Sequence, residues 1–270
     1  MKPRVLLYCL LGGLPMTIAA MGVGHFGWWW LSGIVLAAAF VPVALFGPRR
    51  PLGQLGVILP ALLIITVFCT WTEAMLFMPS FSQHAVRDLA GSAVMYSIVA
   101  VVLAALAWVL KLGRTDAPMV EHRSALLAPV MVLLGGVAYM LYYGIFGAIT
   151  YQYFTKGYYP EAAQQAAQLG LWFWALQIGR GALMTLAVLP VIYTLRLPRW
   201  KAAIAVGALI WIAGGLAPLL VPNTFMGTTQ RIIHIVEIFT QNASLGATAV
   251  LLLRPRAASA GADTAAAAAL

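Results

Sequence analysis

Charge is what this 270-residue sequence has least of: Asp, Glu, Lys and Arg make up 9% of it, and there are only 7 acids in all. A water-facing domain carries about a quarter of its residues charged, so soluble-enzyme folds and nucleic-acid modules are excluded. The cysteines are two, Cys9 and Cys69, both inside apolar runs, which excludes a disulfide framework and any CxxC metal or redox motif. No Walker A loop, GxSxG elbow, HExxH zinc motif or DxxD acid pair occurs, and no helix carries two histidines spaced for haem. Phosphate cradling, serine-hydrolase and zincin chemistry, and prenyl-diphosphate binding through magnesium, thus lack their residues.

What is abundant is apolar surface, 63% of residues with a mean hydropathy of +0.92. A bilayer-spanning helix takes about 20 apolar residues, and runs bounded by charge or by Pro and Gly fall at about 5–22, 27–46, 54–78, 88–110, 125–150, 168–195, 202–221 and 231–253. The expected fold is therefore all-α, a polytopic transmembrane bundle of eight spans forming a single domain over 1–256. The start MKPR has the charge of a signal peptide, but no small-residue cleavage site follows, and the first run reads as a helix. The Ala-rich tail 257–270 contains nothing able to build a core and is expected to be disordered.

The net charge of +9 bears on topology rather than on a nucleic-acid partner, because the basic residues sit between the spans. All of them except Arg87, Lys156, Arg180 and Arg231 fall on one side when alternate loops are grouped. By the positive-inside rule both termini are cytoplasmic and the location is the inner (plasma) membrane. An even span number preserves this alternation. The longest outer segment, 151–167, contains EAAQQAAQ, which predicts a short interfacial helix ahead of the sixth span. A weak internal similarity pairs 46–64 with 195–212, as though spans three and four recur in the same orientation as spans seven and eight.

Ionisable residues inside spans are costly, at least about 2.5 kcal/mol each at mid-bilayer, so their positions are informative. Glu73 lies in span three, Gln177 and Arg180 share a face of span six, and Arg231 stands at the mouth of span eight. Further along span eight, Gln230, Arg231, His234, Glu237, Gln241 and Asn242 occupy an arc of about 140°, a polar stripe that cannot face lipid. Arg180 is too deep to reach water by extending its side chain and needs an anion, with Glu73 and Glu237 at similar depth as the candidates. Glu73, Gln177, Arg180, Arg231, His234, Glu237, Gln241 and Asn242 form the candidate substrate-binding or proton-transfer set. The bland alternative is an ion-pair network that only locks helices together.

His25, His84 and His234 with Glu73 and Glu237 would make an oxygen- and nitrogen-rich metal set, with Met75, Met78 and Met226 suited to copper, but their spacing matches no ligand motif. No metal or other cofactor is expected. Paired glycines before proline, LGGLP at 11–15 and GGLAP at 214–218, predict broken helices in spans one and seven. These features point to a transporter or binding protein for a small polar or amphipathic, anionic solute, with proton coupling and a site open to the outer side. An intramembrane enzyme acting on a lipid at the outer leaflet is the alternative reading, with His234 as base, and a non-catalytic subunit of a membrane assembly the third. The expected partners are the bilayer, a small-molecule or lipid ligand and a protomer or membrane-protein neighbour.

Overall fold

The computed structural model describes residues 3–21, 24–77, 85–113, 123–158 and 162–255. The tail 257–270, His84 and Met78 lie outside the described residues. Every element described is helical: α1 (Pro3–Ala19), α2 (Phe26–Phe46), α3 (Pro51–Met75), α4 (Ala85–Val109), α5 (Ala125–Thr155), the short α6 (Ala162–Leu169), α7 (Leu171–Thr194), α8 (Arg199–Leu220) and α9 (Thr228–Leu253). Seven of these are long and apolar enough to cross a membrane, and α1 is a shorter apolar helix. Large apolar side chains point outward along them, among them Ile98, Trp108, Leu141 and Ile204, each more than half exposed. An apolar exterior of this extent is stable only against lipid. The chain is a multi-pass membrane protein.

Local chemistry explains where the helices depart from α geometry. In α1 the helix is interrupted at Gly13, two residues before Pro15. The expected break at Gly214 to Pro218 takes another form, since Ile212–Leu216 winds as a π-helix and α8 continues. Two departures were not anticipated. Pro60, lacking an N–H, precedes a π-helical stretch at Leu62–Cys69, where the Thr70 hydroxyl donates to the Ile65 carbonyl at 3.2 Å. Pro42 and Pro190 each follow a one-residue break, at Phe40 and Val188. The segment after residue 150, expected as a loop, instead prolongs α5 to Thr155 before α6 begins at Ala162.

The break at Phe40 recurs at Val188, 148 residues on, and with the packing around it this reveals that the molecule is built from two similar four-helix halves. Phe40 (φ −90°, ψ −2°) and Val188 (φ −93°, ψ 0°) are matched in conformation, each followed two residues later by proline. At the same offset, Ser32, Gly33, Leu36, Ala37 and Val43 on α2 are buried, and so are Arg180, Gly181, Met184, Thr185 and Val191 on α7. On α4 and α9 the buried positions Tyr96, Val99, Ala100, Leu103, Ala104 and Ala107 match Asn242, Leu245, Gly246, Ala249, Val250 and Leu253. The helices α1 and α5 share the segment LLGG, at 10–13 and 133–136. Its last glycine receives the α2 or α7 glycine in each half: a Cβ on Gly33 would sit 2.7 Å from the Gly13 Cα, and one on Gly181 3.0 Å from the Gly136 Cα. The repeat is thus α1–α4 against α5, α7, α8 and α9, wider than the two-span similarity in sequence. Within it, Pro51 and Arg199 are the matching helix starts.

Between halves, the contacts are exchanged in kind. Ser32 on α2 donates to the Ala217 carbonyl on α8 at 2.6 Å, and the equivalent Arg180 on α7 offers its carbonyl to Cys69 Sγ on α3 at 3.9 Å. The π-helical stretches of α3 and α8 meet at the centre, where a Cβ on Gly214 would lie 3.1 Å from Ile65.

Long polar side chains satisfy the carbonyls at the ends of α2 and α7. Gln54 donates to Val43 and Pro48, at 3.0 and 2.6 Å. Arg254, 1% exposed, donates to the carbonyls of Ile192, Leu195 and Leu197. Its sequence position suggested only a topology-setting charge. Arg254→Met strands three buried acceptors and is expected to cost about 2–4 kcal/mol, whereas Arg254→Lys recovers only part of this for want of the planar fork. Thermal unfolding of both variants checks the order.

Candidate functional site

The candidate site assembles where α3 of the first half meets α5, α7 and α9 of the second. Glu73 follows the π-helical stretch of α3 directly, one turn beyond Cys69, so the irregular winding sets the direction in which its carboxylate leaves the helix. Across from it, Gln177 and Arg180 are three residues apart on α7 and therefore share a face. Arg180 Nη2 donates to Glu73 Oε2 at 2.6 Å and Nη1 to Gln177 Oε1 at 2.8 Å. The guanidinium lies against the Tyr139 ring, 5.7 Å from its centroid, and the Tyr143 ring stands 6.1 Å from that of Tyr139. Tyr139 and Tyr143 come from α5, one turn apart, and neither was among the sequence candidates. Four-residue spacing from Tyr139, toward the face carrying Gly136, was the signal available.

The α9 members form a second pair beside the first. His234 Nδ1 is 2.8 Å from Glu237 Oε2, and Gln241 Nε2 donates to Glu237 Oε1 at 3.3 Å. Gly147 on α5 faces this row, where a Cβ would make ordinary contact with Glu237 Oε1 at 3.6 Å. Both pairs border α5, where Tyr139 lies against Arg180 and Gly147, two turns on, faces Glu237 and Gln241, and this makes them one cluster.

Exposure falls with depth. The side chains of Glu73 and His234 are each 26% exposed, Glu237 11%, while Gln177, Arg180 and Gln241 are buried. Two groups at the buried end have unused hydrogen-bonding capacity: Arg180 Nε and Gln177 Nε2 are both buried donors without a partner. A buried donor left unpaired is unfavourable by about 1–3 kcal/mol, so both groups favour an acceptor if one reaches them.

Not every sequence candidate comes here. Arg231 turns away and donates to the carbonyls of Leu219 and Leu220 at 3.3 Å, closing the end of α8. Asn242 donates to the Ile210 carbonyl at 3.3 Å, at the edge of the π-helical stretch of α8. Both are helix-terminating or helix-joining contacts. The stripe on α9 thus divides between α8, which takes Arg231 and Asn242, and the cluster, which takes His234, Glu237 and Gln241. Among the described residues no group of three or more His, Cys, Asp or Glu side chains gathers in a metal-holding arrangement. His25 begins α2 with φ 60°, away from His234 in sequence and element.

Searches of family models, curated proteins and solved structures find nothing that matches this chain.

Proposed function

We propose that this chain is a proton-coupled membrane carrier for a small organic anion, with Arg180 as the anion-binding cation and Glu73 as the proton-exchanging gate. The observation that carries the reading is the Arg180–Glu73 ion pair, because it joins the two repeated halves through the one buried cation at the centre of the cluster. Carriers built from parallel repeats bind substrate where the halves meet and move the halves against each other. Here a proton arriving on the Glu73 carboxylate cancels its charge and releases the guanidinium. An anion then takes the vacated Nη2 and the unused Nε, with the Gln177 amide as a further donor. Arginine stays protonated in proteins, so the carboxylate is the member of the pair able to switch. His234, as exposed as Glu73, is the second group at this end of the cluster able to exchange a proton. Its Glu237 partner holds the ring by one nitrogen.

In this reading α1 completes eight crossings, since 17 residues lie at the short end of the spanning range. Both termini face the cytoplasm, the membrane is the inner (plasma) membrane, and the exposed end of the cluster opens outward.

Proteoliposomes containing the protein and a trapped pH dye test the reading with methanesulfonate and benzenesulfonate, which do not cross as neutral acids, alongside small carboxylates. Anion uptake accompanied by internal acidification is expected under an inward proton gradient. Arg180→Gln should abolish both fluxes, and Glu73→Gln should leave anion movement that no longer responds to the gradient. Equal flux in empty vesicles, or flux unaffected by Arg180→Gln, would sink the proposal.

A further inference from the structure

The repeat places a counterpart of the ionic cluster in the first half, and there the chemistry is inverted. Where the second half has Tyr139, Gln177 and Gln241, the first has Met16, Trp29 and Met95, and the position equivalent to Glu73 is Val221. Arg180 itself is replaced by Ser32, whose hydroxyl is used up on the Ala217 carbonyl. No charged side chain lines the space that results, a cavity of about 230 Å³ bounded by Met16, Trp29, Thr66, Trp71, Tyr96 and Val221. It is not a collapsed relic. Large side chains at equivalent positions would close it, yet Ala74 stands in its wall and the π-helical stretch of α3 carries Thr66 past it.

Two polar groups in this apolar wall are unsatisfied. The Thr66 hydroxyl, on a residue 4% exposed, has no hydrogen-bond partner, and neither has the Trp29 indole N–H, which can only donate. In a helix a threonine hydroxyl ordinarily donates to the carbonyl one turn back, so an idle one on a residue that walls the same cavity as an idle indole is uncommon. The volume exceeds the 150 Å³ that holds benzene, and scaling from that gives room for about nine non-hydrogen atoms.

We infer that the first half is a second ligand site, for a compact aromatic molecule with one carbonyl acceptor that reaches it from the bilayer. The ring packs on Trp29, Trp71 and Met16, and the carbonyl oxygen accepts from the Trp29 N–H and the Thr66 hydroxyl. Duplication has then produced one anionic and one apolar site in a single fold, at equivalent places in its two halves.

Acetophenone and isopropylbenzene test this, because they share shape and size and only the first has an acceptor. Binding of each to the full-length protein in lipid nanodiscs is measured by equilibrium dialysis, with empty nanodiscs subtracted. Saturable binding of one acetophenone per chain is expected, about fivefold tighter than isopropylbenzene, the contribution of one net hydrogen bond. Ala74→Phe fills the cavity and should remove binding of both. Thr66→Val keeps the shape and should weaken acetophenone alone, which holds the test open if the phenylalanine variant does not fold. Non-saturable uptake, as when a lipid chain already fills the cavity, overturns the inference. Equal affinities for the two probes overturn it as well, and so does an acetophenone affinity unchanged by Thr66→Val.

Discussion

Glu73→Gln is expected to unfold at a markedly lower temperature than Arg180→Gln, although the two substitutions remove opposite ends of the same 2.6 Å ion pair. The asymmetry comes from proton chemistry. Without Arg180, the Glu73 carboxyl takes up a proton and survives as a neutral group. Without Glu73, the guanidinium cannot discharge itself, and a cation 5% exposed is left facing an amide and an aromatic ring. Breaking a buried pair from one side typically costs about 3–5 kcal/mol, and the carboxylate deletion should approach that figure while the arginine deletion stays near 1–2 kcal/mol. The double variant Arg180→Gln with Glu73→Gln should return to within about 1 kcal/mol of the parent, since two amides can hydrogen-bond where two charges did. Transport should not return with it. Glu237→Gln serves as the control, because Glu237 pairs with His234 and Gln241 rather than with Arg180. Similar small losses for all single variants would show that Arg180 and Glu73 do not meet in the membrane.

Gly246→Val should be as damaging as any substitution in the chain, and no charge is involved. A Cβ at Gly246 would lie 2.6 Å from both the Cα and the amide nitrogen of Gly207, so α8 and α9 touch backbone to backbone with nothing flexible to yield. Relief requires the two helices to separate, which empties the surrounding contacts of Leu245, Ala249 and Val206, all fully buried. Overpacking of this kind costs about 1–3 kcal/mol for one added methylene or two and more when backbone must move. Gly56→Ala is the matched control. A Cβ there meets nothing within 4 Å, and alanine favours the helix over glycine by about 1 kcal/mol, so that variant should hold or gain stability. Thermal unfolding in detergent and in lipid discs distinguishes them, and a Gly246→Val protein as stable as Gly56→Ala would contradict the α8–α9 packing described here.

Period and composition were enough to read helices, their number to within the short α1, and most of their ends to within a few residues, because an apolar run of spanning length has only one stable form in lipid. Depth alone was enough to mark Glu73, Arg180, His234 and Glu237 as anomalous. What it left open was which acid Arg180 meets, since Glu73 and Glu237 have similar depth and sequence carries no record of helix rotation. The stripe on α9 shows the same limit. Its arc of about 140° is too wide to face one neighbour, and only packing decides that Arg231 closes α8, that His234, Glu237 and Gln241 enter the cluster, and that Asn242 braces the Ile210 carbonyl.

The duplication marks the same boundary most sharply. LLGG appears twice in plain sight, yet Ser32 and Arg180, or Trp29 and Gln177, share no chemistry from which their equivalence could be inferred. By itself the amino-acid sequence determined a helical membrane chain, its polar anomalies and the glycine and proline points where winding would change, because those depend on local backbone chemistry and on transfer from water to lipid. The tertiary structure decided that the chain is two halves, that α3 crosses into the second half to bring Glu73 to Arg180, and that the matching space in the first half is apolar. These depend on which buried faces meet, and residues of different chemistry can occupy the same buried position so long as the backbones pack alike.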